Sequence, residues 1–442
     1  MNRQRNGQSS CKRSYHQDLL YAIGKFLPKR GLTLQSTDGR VRWTDRLLVV
    51  AAMLLPWQVE PKLKDAFEAC WHVVTGMYPT RRRVGYTYEG FSKALVKHSS
   101  RLLSVVAPVL RKAVQKIAGK HWKIEGWLVM GVDGSRINCP RTAANEAAFG
   151  CAGKVRTGPQ QFITTLLHVG TGLIWNYRRG GGKEAERNHL RQMIPTLPPK
   201  ALLLADAGFT GYDLLQGLVS NGTSFIIRAG NNVRLLKKLD FRVREHDNIV
   251  YLWPKIHRGY EPLMLRLAVV HDGRKPVYLL TNVLDTSLLS DAQIGAMYRR
   301  RWGLEVFYRS FKRIMEKHML RSASPKQAEV ELDWALVGLW LLGLMSVERM
   351  IRSGKSPSCW SVATSLRIVR RVMAGRGGRR AARDLRALAT ATKDSYCRRS
   401  SKTARNWPHK KKDKPPKPPI IRMATREERQ AAQRFKAENT AA

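Results

Sequence analysis

The stretch ALLLADAGFTGYDLLQGLVSNGTSFIIRAG, residues 201–230, reads as a strand, a helix and a second strand in direct succession. The apolar run ALLLA is typical of a buried strand, whereas YDLLQGLVS has the three- and four-residue apolar spacing of an amphipathic helix. SFIIR is again short, apolar and β-branched, as strands are. Because strands and helices that alternate in this way form layered sheets, residues 201–230 predict an α/β fold.

The segments on either side extend the same pattern. Upstream, residues 127–137 (WLVMGVDGSRI) predict a strand, residues 160–179 (QQFITTLLHVGTGLIWNYRR) predict two strands, and residues 189–197 (HLRQMIPTL) predict a short helix. Downstream, NIVYLWP and LMLRLAVVHD predict additional β structure, which is inserted at about residues 230–276. The middle of the chain is therefore a sheet with a β-rich insertion.

Residues 1–122 instead have helical periodicity, as in LLVVAAMLLPW and PKLKDAFEACWHVV. The basic residues of this region either read DNA through a helix in the major groove or form a solvated face, and the sequence leaves both alternatives open. A second apolar run, Ala335–Val347, has no charge over about 13 residues, which is short of the roughly 20 that span a bilayer. It predicts a buried helix.

After about Gly375 the composition becomes basic and rich in proline, and we expect a flexible arm that holds DNA nonspecifically. Only the segment TREERQAAQRFKA, residues 425–437, has a helical pattern. The predicted organisation is a helical N-terminal DNA-binding region (1–122), a catalytic domain (123–350) with its insertion (about 230–276), a helical C-terminal segment (351–375) and a basic flexible tail (376–442).

The charge of the chain indicates its partner. Lys and Arg number 79 against 33 Asp and Glu, which gives a formal net charge of +46. Such a field attracts polyanions, so the expected partner is nucleic acid, bound either by an enzyme or by a basic scaffold protein. The six cysteines lack Cys-x-x-Cys spacing, and the N-terminus lacks an apolar signal core. Both observations favour a reducing cytoplasm, with the protein on the nucleoid.

Two aspartates follow apolar strands. Asp133 comes after GWLVMGV and Asp206 after ALLLA, so each is delivered to the end of a strand beside a small residue. Taken singly, Asp133 in Asp-Gly also fits a hairpin turn, and Asp206 also fits a helix cap.

The segment YRRRWGLEVFYRSFKRIM, residues 298–315, predicts one helix with a polar stripe. At 100° per residue, Tyr298, Arg301, Glu305 and Lys312 fall within an arc of about 60°. The opposite side is apolar and predicts contact with a core; it comprises Leu304, Phe307, Phe311 and Ile314. A solvent face with local ion pairs is the alternative interpretation of the stripe.

Three carboxylates, Asp133, Asp206 and Glu305, would repel one another if the fold brought them together. Divalent cations relieve that repulsion, and Mg²⁺ prefers oxygen ligands. Two such ions activate an attacking water or 3′-hydroxyl and stabilise the leaving oxygen of a phosphodiester. The set therefore indicates metal-dependent phosphodiester chemistry.

The spacing Tyr-x2-Arg-x3-Glu-x6-Lys resembles the YREK box of DDE transposases from prokaryotic insertion sequences (insertion-sequence family four). Here the box is Tyr298, Arg301, Glu305 and Lys312. It follows strands that end in DGS and DAGF, and the similarity covers about residues 85–350.

The resemblance implies a ribonuclease-H-like core with a β-rich insertion. It also implies that two Mg²⁺ ions (Mn²⁺ as a substitute) bind Asp133, Asp206 and Glu305, and that Tyr298, Arg301 and Lys312 hold DNA phosphates. The implied activity is cleavage at the ends of a mobile element and strand transfer into target DNA. The implied assembly is a dimer that holds double-stranded DNA of the terminal inverted repeats and the target.

One position departs from the family pattern. Ala207 stands where the family commonly has Arg in DRGF, so one cationic contact is missing. Ala207 keeps one alternative open, a noncatalytic, transposase-derived DNA-binding protein. A ribonuclease-H-like nuclease without joining activity is a further alternative, independent of Ala207. Trp253 is a candidate for holding a flipped base, a role that the family gives to an aromatic group in the insertion.

Overall fold

The computed structural model describes residues 14–32, 42–79, 84–150, 158–241, 246–272, 275–375, 381–393 and 417–441. Backbone contacts divide the chain into two compact units. The helical unit draws on Met1–Gly119, Asn138–Ala148 and Ser310–Lys393. The sheet unit draws on Lys120–Ile137, Phe149–Arg309 and Asp394–Ala442.

The helices of the described residues are α1 (Tyr15–Gly24), α2 (Asp45–Leu54), α3 (Leu63–Met77), α4 (Tyr88–Ala118), α5 (Ala143–Phe149), α6 (Glu186–Met193), α7 (Tyr212–Ser220), α8 (Asp291–Arg299), α9 (Trp302–Arg309), α10 (Pro325–Arg352), α11 (Val362–Met373), α12 (Ala381–Arg386) and α13 (Arg426–Ala441). The strands are β1 (Leu128–Asn138), β2 (Gln160–His168), β3 (Leu173–Gly181), β4 (Ala201–Ala205), β5 (Ser224–Arg228), β6 (Arg234–Lys237), β7 (Ile249–Leu252), β8 (Leu263–Asp272), β9 (Lys275–Thr281) and β10 (Ile420–Met423).

The centre of the helical unit is α10. This helix is long and apolar enough to cross a membrane, but 94% of its most apolar window is buried. Two indoles tie it to neighbouring helices: the Trp334 indole donates to Ser99 Oγ over 2.8 Å, and the Trp57 indole donates to the Gly338 carbonyl over 3.1 Å. The buried helix predicted around residues 335–347 is confirmed, as is the helical character of the N-terminal region.

A single mixed sheet forms the sheet unit, with strand order β10-β6-β7-β8-β9-β5-β4-β1-β2-β3. β1 pairs with β4 and β4 with β5 in parallel, whereas the β2–β3 hairpin is antiparallel. The central strands are continuous apolar runs because helices cover both faces of a parallel sheet. Val129, Leu202, Leu204 and Ile226 lie in the core that α8 covers through Met297. The predicted α/β, ribonuclease-H-like fold class is confirmed.

The β-rich insertion predicted at about residues 230–276 holds β6, β7 and most of β8. The C-terminus differs from the flexible tail predicted for residues 376–442. β10 pairs in parallel with β6, and α13 buries Ala432 and packs Phe435 against Trp253. These contacts offset the entropy of ordering residues 420–436. The lysine- and proline-rich tract at residues 402–416 lies outside the described residues.

The unit boundaries also differ from the predicted domains. The predicted catalytic domain, 123–350, runs across both units, because residues 310–352 pack with α2 and α4. The predicted C-terminal segment, 351–375, belongs to the same helical unit through α11. The apolar pattern shows that these helices are buried, but it does not show which partner buries them.

Candidate active site

The parallel pairing of β1 with β4 places the two aspartates. Gly131 pairs with Leu204, and Asp133 and Asp206 each follow two residues later. They therefore lie side by side on neighbouring strands, about 4.8 Å apart, at the same edge of the sheet. β1 continues to Asn138, so Asp133 is not in a hairpin turn. Asp206 precedes a short 3₁₀ turn without making a side-chain cap bond.

A glycine allows the third acid to approach. A Cβ atom at Gly131 would stand 2.7 Å from Cδ1 of Leu304, which is closer than packed carbons allow. Gly131 therefore lets α9 lie directly over β1. Leu304 is buried there, and the adjacent Glu305 faces the edge of the sheet that carries Asp133.

The predicted single helix across residues 298–315 is broken. α8 ends at Arg299, α9 begins at Trp302, and a π-helical turn follows at Ser310–Ile314. The break takes Arg301 out of regular helix and turns its side chain among the carboxylates. Tyr298, Arg301 and Glu305 thus come together from α8, the break and α9 rather than from one continuous stripe.

Arg301 is the centre of the charge cluster. One guanidinium nitrogen lies 3.0 Å from Glu305 Oε1, and the other lies 3.8 Å from Asp133 Oδ2. The guanidinium also lies over the Tyr298 ring, 5.7 Å from its centroid. Only 13% of the side chain is exposed. Burial lowers the pKa of Arg301. Its neighbours raise that pKa by a larger amount, so the net pKa is above the usual value; they are Tyr298, Asp206, Asp133 and Glu305.

Asp206 contacts two other residues. The Tyr298 hydroxyl donates to Asp206 Oδ1 over 3.3 Å, and Arg228, the last residue of β5, lies 3.8 Å from the same oxygen. Burial, then the negative charge of Asp206, raises the pKa of Tyr298 above its usual range. Tyr298 is therefore a neutral hydrogen-bond donor at physiological pH.

Asp133 is the most buried of the three acids, with 21% of its side chain exposed. Burial raises the pKa of Asp133 and outweighs the lowering by the Gly134 amide and Arg301, while Asp206 and Glu305 raise it further. The buried Tyr308 hydroxyl fixes the backbone of Asp133, because it lies 2.8 Å from the Asp133 carbonyl and 3.0 Å from Thr165 Oγ1. The buried aspartate is thus also held in place through its backbone carbonyl.

Lys312 lies in the π-helical turn, in a segment assigned to the helical unit. It is half-buried, and burial lowers its pKa. In the part of the chain that the structure describes, Lys312 has no ion pair. A continuous helix would place Lys312 on the same stripe as Arg301 and Glu305, but the helix is broken between these residues.

Sequence reasoning missed three residues at the site. Arg228 is the last residue of SFIIR on β5, the strand that pairs with β4 beside Asp206. The sequence pattern does not show that these two strands are neighbours. Tyr308 looked like another aromatic of a basic helix. Glu186, the first residue of α6, lies in a segment without a distinctive pattern. Burial, then Asp133 and Asp206, raises the pKa of Glu186.

An open cavity of about 590 Å³ adjoins Glu305 and Arg301. Three arginines line it, Arg228, Arg299 and Arg301, and Trp302 projects beside them with 60% of its surface exposed.

Trp253, the aromatic considered for a flipped base, is 2% exposed, and its indole N–H donates to the carbonyls of His257 and Tyr260. Trp253 is therefore a core residue of the insertion, and the prediction that it holds a flipped base is wrong.

The three carboxylates offer only oxygen donors, which is the kind of ligand that Mg²⁺ prefers. Within the described residues, no group of three or more His, Cys, Asp or Glu side chains is arranged to hold a metal ion. The guanidinium of Arg301 instead lies between carboxylates that carry only oxygen donors, and it supplies the positive charge that they require. Acidic oxygens gathered around a cation are the ligands that Mg²⁺ prefers, so the residues fit the ion in chemistry.

Comparisons with known proteins agree with the motif. Residues 128–341 match the family model described as the transposase DDE domain, so the predicted domain type is confirmed over that range. A transposase, InsG for insertion sequence element IS4 of Escherichia coli (strain K12), is 28% identical over 235 residues. That alignment covers 49% of this chain and 51% of the relative, so the chain spans about half the length of the curated relative that it matches.

A solved structure, the piggyBac transposase synaptic complex with hairpin DNA, aligns over 91% of each chain. Its sequence identity to this chain is 11%, and the TM-score is 0.43.

Proposed function

We propose that this chain, whose residues 128–341 match a transposase DDE domain, is a transposase that cuts DNA at the ends of an insertion sequence and joins them to target DNA. One observation supports this most strongly. Asp133 and Glu305, far apart in the sequence, lie 3.8 and 3.0 Å from the Arg301 guanidinium, and Asp206 adds its negative charge to the same surroundings.

In this proposal Asp133, Asp206 and Glu305 would hold two Mg²⁺ ions, for which Mn²⁺ can substitute. When bound, the ions would lower the pKa of the attacking water or 3′-hydroxyl and stabilise charge on the leaving oxygen. The raised pKa of Asp133 supports this assignment, because an acid that is costly to ionise alone gains most from a neighbouring cation.

The remaining work is positioning and charge stabilisation, which supply most of the catalysis in phosphoryl transfer. Arg301 would exchange its contact with Asp133 for a DNA phosphate, which its planar guanidinium can bind with two hydrogen bonds. Tyr298, neutral and already a donor to Asp206, would donate to a second phosphate oxygen. Lys312 would contribute a point charge to the DNA backbone.

Two in-line reactions would follow one another at this site. In the first, water attacks the phosphorus at the element end, a P–O bond breaks, and a 3′-hydroxyl leaves. In the second, that 3′-hydroxyl gives up its proton and attacks a phosphodiester of the target, whose own 3′-oxygen leaves with a proton. The number of phosphodiester bonds is conserved in the second step, so no energy source is needed.

The partners in this proposal are double-stranded DNA of the terminal inverted repeats and of the target. The net charge of +46 supports DNA binding, because it drives counterion release from the duplex. Joining two ends to one target requires that they be held together, and we propose a dimer on DNA, in the cytoplasm at the nucleoid.

Single substitutions test the assignment. Asp133→Asn, Asp206→Asn and Glu305→Gln should each abolish Mg²⁺-dependent cleavage of end DNA while DNA binding is retained. Glu261→Gln, an exposed acid of the same unit, is the control and should cleave normally. Cleavage that persists in all three variants would refute the site.

Strand transfer into plasmid DNA separates this proposal from a nuclease without joining activity, which would cut but not join. The noncatalytic alternative rests on Ala207, and it predicts no Mg²⁺-dependent nicking at all. Two arginines already supply cations at that loop: Arg228 lies 3.8 Å from Asp206, and Arg187 Nε donates to the Gly208 carbonyl over 2.7 Å.

A further inference from the structure

Glu186 occupies a space that two glycines leave open. A Cβ atom at Gly208 would stand 2.0 Å from Glu186 Oε1. A Cβ atom at Gly134 would meet the Phe162 ring first, at 2.5 Å, and then Glu186 Oε2 at 2.9 Å. The glycines follow Asp206 and Asp133 in DAGF and DGS. The carboxylate of Glu186 thus lies between β1, which carries Asp133, and the turn that follows Asp206, with one oxygen toward each.

The Glu186 carboxylate is not committed to the fold by hydrogen bonds. In the described ranges of the chain it accepts none and forms no ion pair within 4.0 Å. Its charged surroundings are Asp133 and Asp206, with Arg187 and Arg136 as the opposite charges. A carboxylate on the first turn of a helix is ordinarily explained by the helix dipole. The dipole does not explain why the side chain reaches two other acids.

The cost of this arrangement is repulsion. The negative charges of Asp133 and Asp206 act on Glu186 and raise its pKa, whereas Arg301 compensates the charges of the two aspartates. A group that destabilises the fold and is free of structural contacts is expected where function requires it.

We propose that Glu186 is a fourth carboxylate of the site, adding an oxygen donor beside Asp133 and Asp206 for the divalent cation. This inference rests on the proposed function, and it deepens that function by adding a residue outside the three-acid motif. It also explains Gly208: a side chain at that position would displace the Glu186 carboxylate from the aspartates, whereas Gly134 already makes room for the Phe162 ring.

The test measures the melting temperature of Glu186→Gln with MnCl₂ and with EDTA. In EDTA the variant should melt at or above the temperature of wild type, because one repulsive charge is gone. In MnCl₂ its stabilisation should be smaller than that of wild type, corresponding to a loss of Mn²⁺ affinity of about tenfold or more. A purely structural role predicts the reverse: a lower melting temperature in EDTA with an unchanged Mn²⁺ response.

A second variant keeps the acid and moves it. Gly208→Ala should reduce the Mn²⁺ response as Glu186→Gln does, and the double variant should be no worse than either single one. Gly217→Ala is the matched control, since a Cβ atom there would meet Ile194 at 3.6 Å, an ordinary contact.

Two kinds of failure can be told apart. If wild type and Glu186→Gln respond to MnCl₂ equally, while Asp133→Asn loses the response and DNA cleavage, the role of Glu186 is refuted and the proposed function stands. If wild type itself neither responds to MnCl₂ nor cleaves end DNA, the proposed function is refuted and the inference falls with it.

Discussion

Arg301→Met should destabilise the sheet unit in the absence of divalent ions and should do so less in their presence. The substitution removes the guanidinium that lies 3.0 Å from Glu305 and 3.8 Å from Asp133. Methionine keeps much of the apolar stem, so the change is mainly one of charge. The acids are then left without the nearest cation.

The magnitude follows from burial. A pair of unit charges about 4 Å apart is worth about 4 kcal/mol at an effective dielectric constant near 20. Exposed pairs retain only about 0.2–1 kcal/mol. Arg301 is 13% exposed, Asp133 21% and Glu305 38%, so the cluster lies between these limits. We expect a loss of about 2 kcal/mol, which lowers the melting temperature by roughly 4–8 °C for a unit of this size.

Thermal denaturation in EDTA and in millimolar MgCl₂ measures both effects. In EDTA, Arg301→Met should melt below wild type by the stated amount. MgCl₂ should reduce that difference by at least half, because the freed carboxylates bind the cation that replaces the guanidinium. Arg300→Met, an exposed arginine one residue away, is the control and should change the melting temperature little in either buffer.

A double-variant cycle isolates the pairwise contribution. Asp133→Asn should relieve part of the destabilisation caused by Arg301→Met, which gives a coupling free energy of about 1 kcal/mol. Equal melting temperatures for wild type and Arg301→Met in EDTA, or a deficit that MgCl₂ leaves unchanged, would contradict the view that Arg301 supplies the charge of a cation.

Three further predictions concern the support of the site and the C-terminus. Tyr308→Phe removes the hydroxyl at the Asp133 carbonyl, so urea denaturation should show a loss of about 1–2 kcal/mol, and DNA cleavage should fall with it. Gly131→Val drives a side chain into Leu304 and should cost about 1–3 kcal/mol by the same measurement; unchanged stability would refute the close packing. The pKa of Glu428 in the folded protein is lowered to about 2, mainly by hydrogen bonds to an arginine on β10. The ionised carboxylate therefore stabilises the fold above pH about 4.5, the pKa of an unfolded glutamate, and this stabilisation is lost as pH falls to about 2. Hydrogen exchange in α13 should rise over that range in wild type and should already be high at pH 7 in Glu428→Gln.

Local patterns predicted the elements that carry the acids. Apolar runs identified β1 and β4, and the fixed spacing around Glu305 identified the segment that follows them. The break before Trp302 was not predicted, because Arg300 and Arg301 have good helix propensity and Gly303 alone, at a cost of about 1 kcal/mol, is tolerated inside many helices. Helical angles therefore grouped Arg301 with Glu305 correctly, although the helix that justified the grouping is interrupted.

Contacts between segments distant in sequence could not be predicted from these local patterns. The parallel pairing of β5 with β4 puts Arg228 beside Asp206, and nothing in SFIIR indicates that neighbour. The same holds for Glu186, which reaches the aspartates only because α6 begins next to their loops. Such residues can be found from sequence only once the strand order is known, since the order decides which strand ends meet.

The strand order also bears on Ala207. An arginine after Asp206 would project from the loop at the end of β4, where two cations already act: Arg228 from the neighbouring strand and Arg187 from α6. Both reach that loop through contacts that the alanine does not disturb. A cation can thus reach this place from β5, from α6 or from the loop itself. The absence of an arginine at position 207 therefore still leaves two cations that can contact a phosphate. Ala207 by itself therefore does not argue for an inactive protein, whereas neutralising Asp133 or Asp206, which have no such substitute, would.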